Sequence, residues 1–259
     1  MSFAQTVVLA AFAGFTIYLG LPVGRLRNLS ANAQAMLTAA AGGVILFLIL
    51  DVMGQALAPL ETALDDARAG GSLAPVVVDG LVLGLSLAVG LLSVTFVTSR
   101  LRARASGPAL PSQLAVGTAI GLGLHNFSEG LAIGASAASG ETTLALVLVV
   151  GFALHNATEG FGIAAPLASG ERPTWAFLGL LGLIGGGPTF VGGVVGFAFV
   201  SPLLSIAFLG LAAGALVFVF NEMMAVVRRF SLPMAASTAL LLGLTAGIAT
   251  DMILVFAGA

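Results

Sequence analysis

The sequence has no cysteine and no lysine. Without thiols there is neither a disulfide framework nor a thiolate metal site, which excludes zinc-finger and dithiol redox chemistry and leaves nitrogen and oxygen as the only ligand atoms. Charge is scarce: 8% of residues are charged against 59% apolar, and the mean hydropathy is +1.13. A soluble domain needs a more polar surface than this. All nine basic residues are Arg, scattered singly or in small groups, so no basic patch points to nucleic acid. The N-terminal apolar run starts at once, without a basic leader or a clear cleavage site, so it is expected to stay as a span. No organic cofactor is expected.

What is present is a series of long apolar runs. A helical crossing needs about 20 apolar residues, and eight stretches qualify, near 4–24, 33–57, 75–98, 111–138, 142–168, 174–199, 203–227 and 234–257. The fold expected is an all-α integral membrane protein forming one transmembrane transporter domain over 1–259. The longest connections are expected around 60–74 and 101–111. Arg25, Arg27, Arg100, Arg102, Arg104, Arg172, Arg228 and Arg229 fall on alternate connections, and only Arg68 falls on the others. The positive-inside rule places the Arg-bearing connections in the cytoplasm and both termini outside.

Two internal repeats organise the chain. GLGLHNFSEGLAIGAS (121–136) returns as GFALHNATEGFGIAAP (151–166), and both histidines of the protein lie in this pair. Residues four apart share a helix face, so His125 stands over Glu129 and His155 over Glu159. The second repeat aligns AAGGVILFLILD (40–51) with LAAGALVFVFNE (211–222). Its two copies run in opposite directions, which suggests an inverted 3+2+3 arrangement of the kind found in secondary transporters.

A carboxylate at the bilayer centre costs about 2.5–3.5 kcal/mol, and no span contains a basic residue to neutralise Glu129 or Glu159. With His125 and His155 alongside, a divalent ion is the expected neutraliser. Imidazole with carboxylate suits Zn²⁺, and with less selectivity Fe²⁺, Mn²⁺, Co²⁺ or Cd²⁺. Asn126 and Asn156 are expected to add carbonyl oxygens beside the site. Protons compete for such ligands, so acid should oppose metal loading. Asn126 also begins an NFS glycosylation pattern, which its mid-membrane position rules out. Asp51, Asp79 and Asp251 are expected toward the outer mouth of a pathway and Glu222 toward the inner one.

HNFSEGLAIG and HNATEGFGIAAPL resemble the fourth and fifth transmembrane segments of the ZIP (Zrt/Irt-like protein) metal transporters, prokaryotic type, and the span count, outside termini and repeat are similar over almost the whole chain. The resemblance implies uptake of a divalent metal, zinc foremost, toward the cytoplasm across the plasma (inner) membrane. By motif position it implies His125, Glu129, His155 and Glu159 as primary ligands, with Asn126 and Asn156 reaching a second site. It further implies a homodimer and movement of spans 1, 4, 5 and 6 against 2, 3, 7 and 8. The sequence departs from the pattern of some prokaryotic members at Asn156, where they have an acid, at Thr189, where they have Glu, and at Ile45, where they have Met. The second site is therefore expected to be weak or absent. No enzymatic activity is expected; the alternatives are a membrane-embedded metalloenzyme and a proton-coupled solute carrier.

Overall fold

A computed structural model describes residues 1–27, 29–104, 111–199 and 201–257. Among them there are eight long helices and no strand: α1 (Phe3–Phe15), α2 (Ala31–Arg68), α3 (Ala74–Arg104), α4 (Pro111–Ala138), α5 (Thr142–Ala164), α6 (Trp175–Ala198), α7 (Pro202–Arg228) and α8 (Pro233–Ala257). Four of the starts are written locally. Ser2, Ser30, Thr174 and Ser201 each accept a hydrogen bond from the backbone N–H three residues on, a cap that stabilises a helix by about 1 kcal/mol.

Two helices differ from the expected spans. The first run leaves α-geometry at Thr16 and continues as 3₁₀ turns, Thr16–Leu19 and Leu21–Arg25. The tighter coil lets Gly20 lie against the backbone of Ala157, Gly160 and Phe161 on α5. The connection expected around 60–74 is instead helical through Arg68, where exposed Arg68 pairs with Asp65 at 2.9 Å. Charged residues do not end a helix that has emerged into water, and Ala, Leu and Glu extend it. Of the connection around 101–111, residues 105–110 lie outside the described part.

Among the described residues seven helices, α1 taken together with the 3₁₀ turns that follow it, are long and apolar enough to cross a membrane, as a membrane-embedded protein requires. The eighth, α4, has the length but falls short in apolarity, because His125, Asn126, Ser128 and Glu129 interrupt it. It compensates by burial. α4 packs on α6, α7, α5 and α1, while α3 packs mainly on α7 and α8 on α2. The strongest packing falls within two groups, α1, α4, α5 and α6 in one and α2, α3, α7 and α8 in the other, joined chiefly through α4 against α7.

Glycine sets the spacing within both groups. A Cβ at Gly130 of α4 would strike the Thr189 carbonyl of α6, and one at Gly192 would strike the Phe127 carbonyl in return. Gly14 of α1 and Gly186 of α6 stand in the same relation to each other's carbonyls. In the other group Gly43 meets Leu240 and Leu244 while Gly243 meets Ala40; Gly214 meets Leu87 and Leu91 while Gly90 meets Leu211. Small residues at such crossings let backbones approach where lipid offers no hydrophobic drive to association. The Gly-rich run of α6 thus serves close packing, and the helix passes through Pro188 without ending.

Candidate metal centre

The repeated motif brings His125, Asn126 and Glu129 of α4 together with Asn156 and Glu159 of α5, with α1 and α6 on either side. His125 Nε2 lies 3.4 Å from Glu129 Oε1, one turn along α4, and 3.8 Å from Glu159 Oε1 across on α5. The imidazole therefore stands between the two carboxylates. All three are withdrawn from solvent, with His125 1%, Glu129 4% and Glu159 0% exposed. The His155 backbone lies in α5 four residues before Glu159; its side chain is outside the described residues.

Asn126 and Asn156 tie this centre together in a reciprocal way. The Asn126 amide donates to Glu159 Oε2 at 2.7 Å and to the Gly185 carbonyl of α6 at 3.0 Å. The Asn156 amide donates to Glu129 Oε2 at 3.2 Å and to the Ala13 carbonyl of α1 at 3.1 Å. Each asparagine thus orients the carboxylate of the facing helix and anchors it to a flanking one. Hydrogen bonds with a charged partner are about twice as strong as neutral ones. Both Oδ1 atoms are buried and receive no hydrogen bond, as is the Oγ1 of buried Thr189 nearby on α6. Unpaired buried oxygens are costly, and a cation is a partner that carbonyl oxygens can take.

Among the described residues no three His, Asp or Glu side chains are arranged as a ready metal cage. What the structure brings together is His125, Glu129 and Glu159, with Asn126 and Asn156 bound to the two acids. The asparagines were expected to contribute oxygens; their nitrogens face the carboxylates, and the oxygens remain unclaimed. Ile45 is fully buried in the apolar core.

Asp51 on α2 accepts a hydrogen bond from Gln55 at 2.8 Å. Gln55 and Ser128 line a cavity of about 210 Å³ between α2, α4, α6 and α7, together with Ser201 and Ser205 at the start of α7. Ser128 is the residue before Glu129 on α4, and the rest of the lining includes Leu131, Ala132, Ala135 and Leu209. The Asp51 charge also acts on His125, Glu129, Glu159 and Asp251. Asp79 and Glu222 are half-buried and line none of that cavity. Sequence reading missed Gln55, which the same four-residue spacing from Asp51 could have found. It also missed the carbonyls of Ala13 and Gly185, for which no side chain could give a signal. No known family model matches the sequence, and no curated protein is significantly similar to it.

Proposed function

We propose that the chain is a divalent-cation transporter, with zinc as the foremost substrate, that carries the ion inward through the centre on α4 and α5, as the resemblance to ZIP transporters implies. The observation that carries this reading is a pair of carboxylates, Glu129 and Glu159, buried on either side of His125 between two helices, each accepting a hydrogen bond from an asparagine amide of the facing helix. Charge so placed needs a mobile counter-charge, and the unclaimed Asn126 and Asn156 oxygens add acceptors for one. With a neutral Thr189 beside them and both amide nitrogens already on the acids, one strong metal site is expected. Measurement of two tight equivalents per chain refutes that count.

Helix packing supports an inverted 3+2+3 repeat. Gly43 and Gly214, aligned in the sequence, meet Leu240 with Leu244 and Leu87 with Leu91; Ala40 and Leu211, also aligned, meet Gly243 and Gly90. The bonds from Asn126 to Gly185 and from Asn156 to Ala13 are a further matched pair. Such symmetry suits alternating access, with α1, α4, α5 and α6 moving against the others. The cavity at Gln55 and Ser128 is then the outer approach, past Asp51, and Glu222 belongs to the exit. Both termini are placed outside, in the plasma (inner) membrane, and a homodimer is the assembly the family resemblance implies.

Proteoliposome uptake of radiolabelled Zn²⁺, with an ionophore control and with and without a pH gradient, tests the reading. Time-dependent accumulation within the vesicle is expected. Uptake no faster than in empty vesicles overturns it and turns attention to an embedded metalloenzyme or a proton-coupled solute carrier.

A further inference from the structure

Where α4 and α6 begin, beside the connection that carries Arg172, a cavity lies apart from the proposed centre. It measures about 620 Å³, and its walls include Ser112, Leu167, Glu171, Arg172, Thr174 and Phe177. Ser112 and Phe177 also wall a groove of about 360 Å³ between α3, α4 and α6, so the two spaces adjoin. The groove is lined by Val94, Val97, Val116 and Ile120. On its α3 side the Ser93 and Thr98 hydroxyls donate to the Gly90 and Val94 carbonyls of their own helix, while Ser112 and Gln113 lie on the α4 side. An apolar channel thus opens from a polar chamber toward the outer face of α3, where Val97 is 52% exposed.

The chamber end is electropositive. Exposed Arg27 and Arg172 both act on Arg25, which is fixed by donation to the Pro173 carbonyl and by stacking at 4.4 Å over Trp175. Arg25 Nε is buried without an acceptor. Among the described residues no carboxylate forms an ion pair with any of these three arginines. Glu171 is the only acid in the chamber wall, so the cluster keeps net positive charge. Trp175, 62% exposed, has the amphipathic character of a side chain at headgroup level.

We propose that chamber and groove together bind one anionic phospholipid, its phosphate held by Arg172 in the chamber wall with the charges of Arg25 and Arg27 supporting it, and an acyl chain laid between α3 and α4. Positive charge at a membrane surface selects anionic headgroups, and the groove continues the lipid-facing surface of α3. The site goes beyond the transport reading and holds whichever solute is carried.

Native mass spectrometry of the full chain in detergent, offered phosphatidylglycerol and phosphatidylcholine in equal amounts, tests it. Phosphatidylglycerol should be retained several-fold over phosphatidylcholine. Arg27→Gln with Arg172→Gln should bring that ratio close to one, while Arg228→Gln with Arg229→Gln should leave it unchanged. Val116→Phe, which fills the groove and removes no charge, should lower phosphatidylglycerol retention and carries the test if the double variant does not fold. Equal retention of the two lipids overturns the proposal, as does a preference that survives Arg27→Gln with Arg172→Gln or falls equally with the Arg228 and Arg229 changes. Displacement of the lipid by inorganic phosphate at equal concentration also overturns it, since the ligand is then a free anion.

Discussion

α3 and α4 are of similar length, 31 and 28 residues, and follow one another in the chain, yet they solve opposite problems. The apolar window of α3 is only 17% buried, and it leaves Leu81, Leu85, Val89, Leu92 and Phe96 exposed, as a face turned to lipid would be. α4 buries more than half its residues among four other helices, with Gly and Ala at the contacts, and carries His125, Asn126 and Glu129 inside. Hydropathy along a span therefore records which neighbour the helix has. A helix facing lipid must be apolar; one shielded by other helices is free to be polar where its partners complete the hydrogen bonds.

The largest expected effect lies at the shielded end of this comparison. Glu159→Ala should abolish Zn²⁺ uptake in proteoliposomes, a loss of about 100-fold or more, because it removes a charged ligand and strands the Asn126 amide. Leu85→Ala on the lipid face of α3, at a residue 66% exposed, should leave uptake unchanged. Equal effects from the two would end the distinction between a working interior and a passive exterior.

A smaller change is expected from the amide that supports the acid. Asn126→Leu keeps the volume but leaves Glu159 Oε2 and the Gly185 carbonyl without their donor. Losing hydrogen bonds to a buried charged group costs about 1.5–3 kcal/mol, to be read as a lower melting temperature of the metal-free protein. Metal should restore part of that loss by giving Glu159 a new partner. A variant as stable as the parent without metal would mean that the amide does not hold the carboxylate.

These contrasts also explain what was legible beforehand. Lipid imposes apolarity, so the helices could be read from composition, all eight of them, and four-residue spacing sufficed to put His125 beside Glu129. The reach of His125 to Glu159 across the helix pair followed from the duplicated motif. The switch to 3₁₀ geometry at Thr16 was not legible, because it goes with a close approach of Gly20 to α5, more than a hundred residues away. Nor was the extension of α2 to Arg68, since hydropathy reports where the membrane ends and not where the helix does. The anchoring of Asn156 on Ala13 was hidden for a third reason: every residue has a carbonyl, and only the fold selects which one is used.

The smallest effects sharpen the comparison most cleanly, because one chemical change can be made in both helices. Gly130→Ala on α4 puts a methyl against the Thr189 carbonyl, which belongs to backbone and cannot rotate aside. Forcing α4 from α6 is an overpacking of about 1–3 kcal/mol, and it should lower thermal stability in detergent. Gly84→Ala on α3 meets nothing within 4 Å. There the methyl only restricts the backbone, a gain of about 0.5–1 kcal/mol for a helix interior. The two substitutions should thus move the melting temperature in opposite directions. If Gly84→Ala also destabilises, α3 has a partner on its outer face, and that surface is an interface with another chain and not a boundary with lipid.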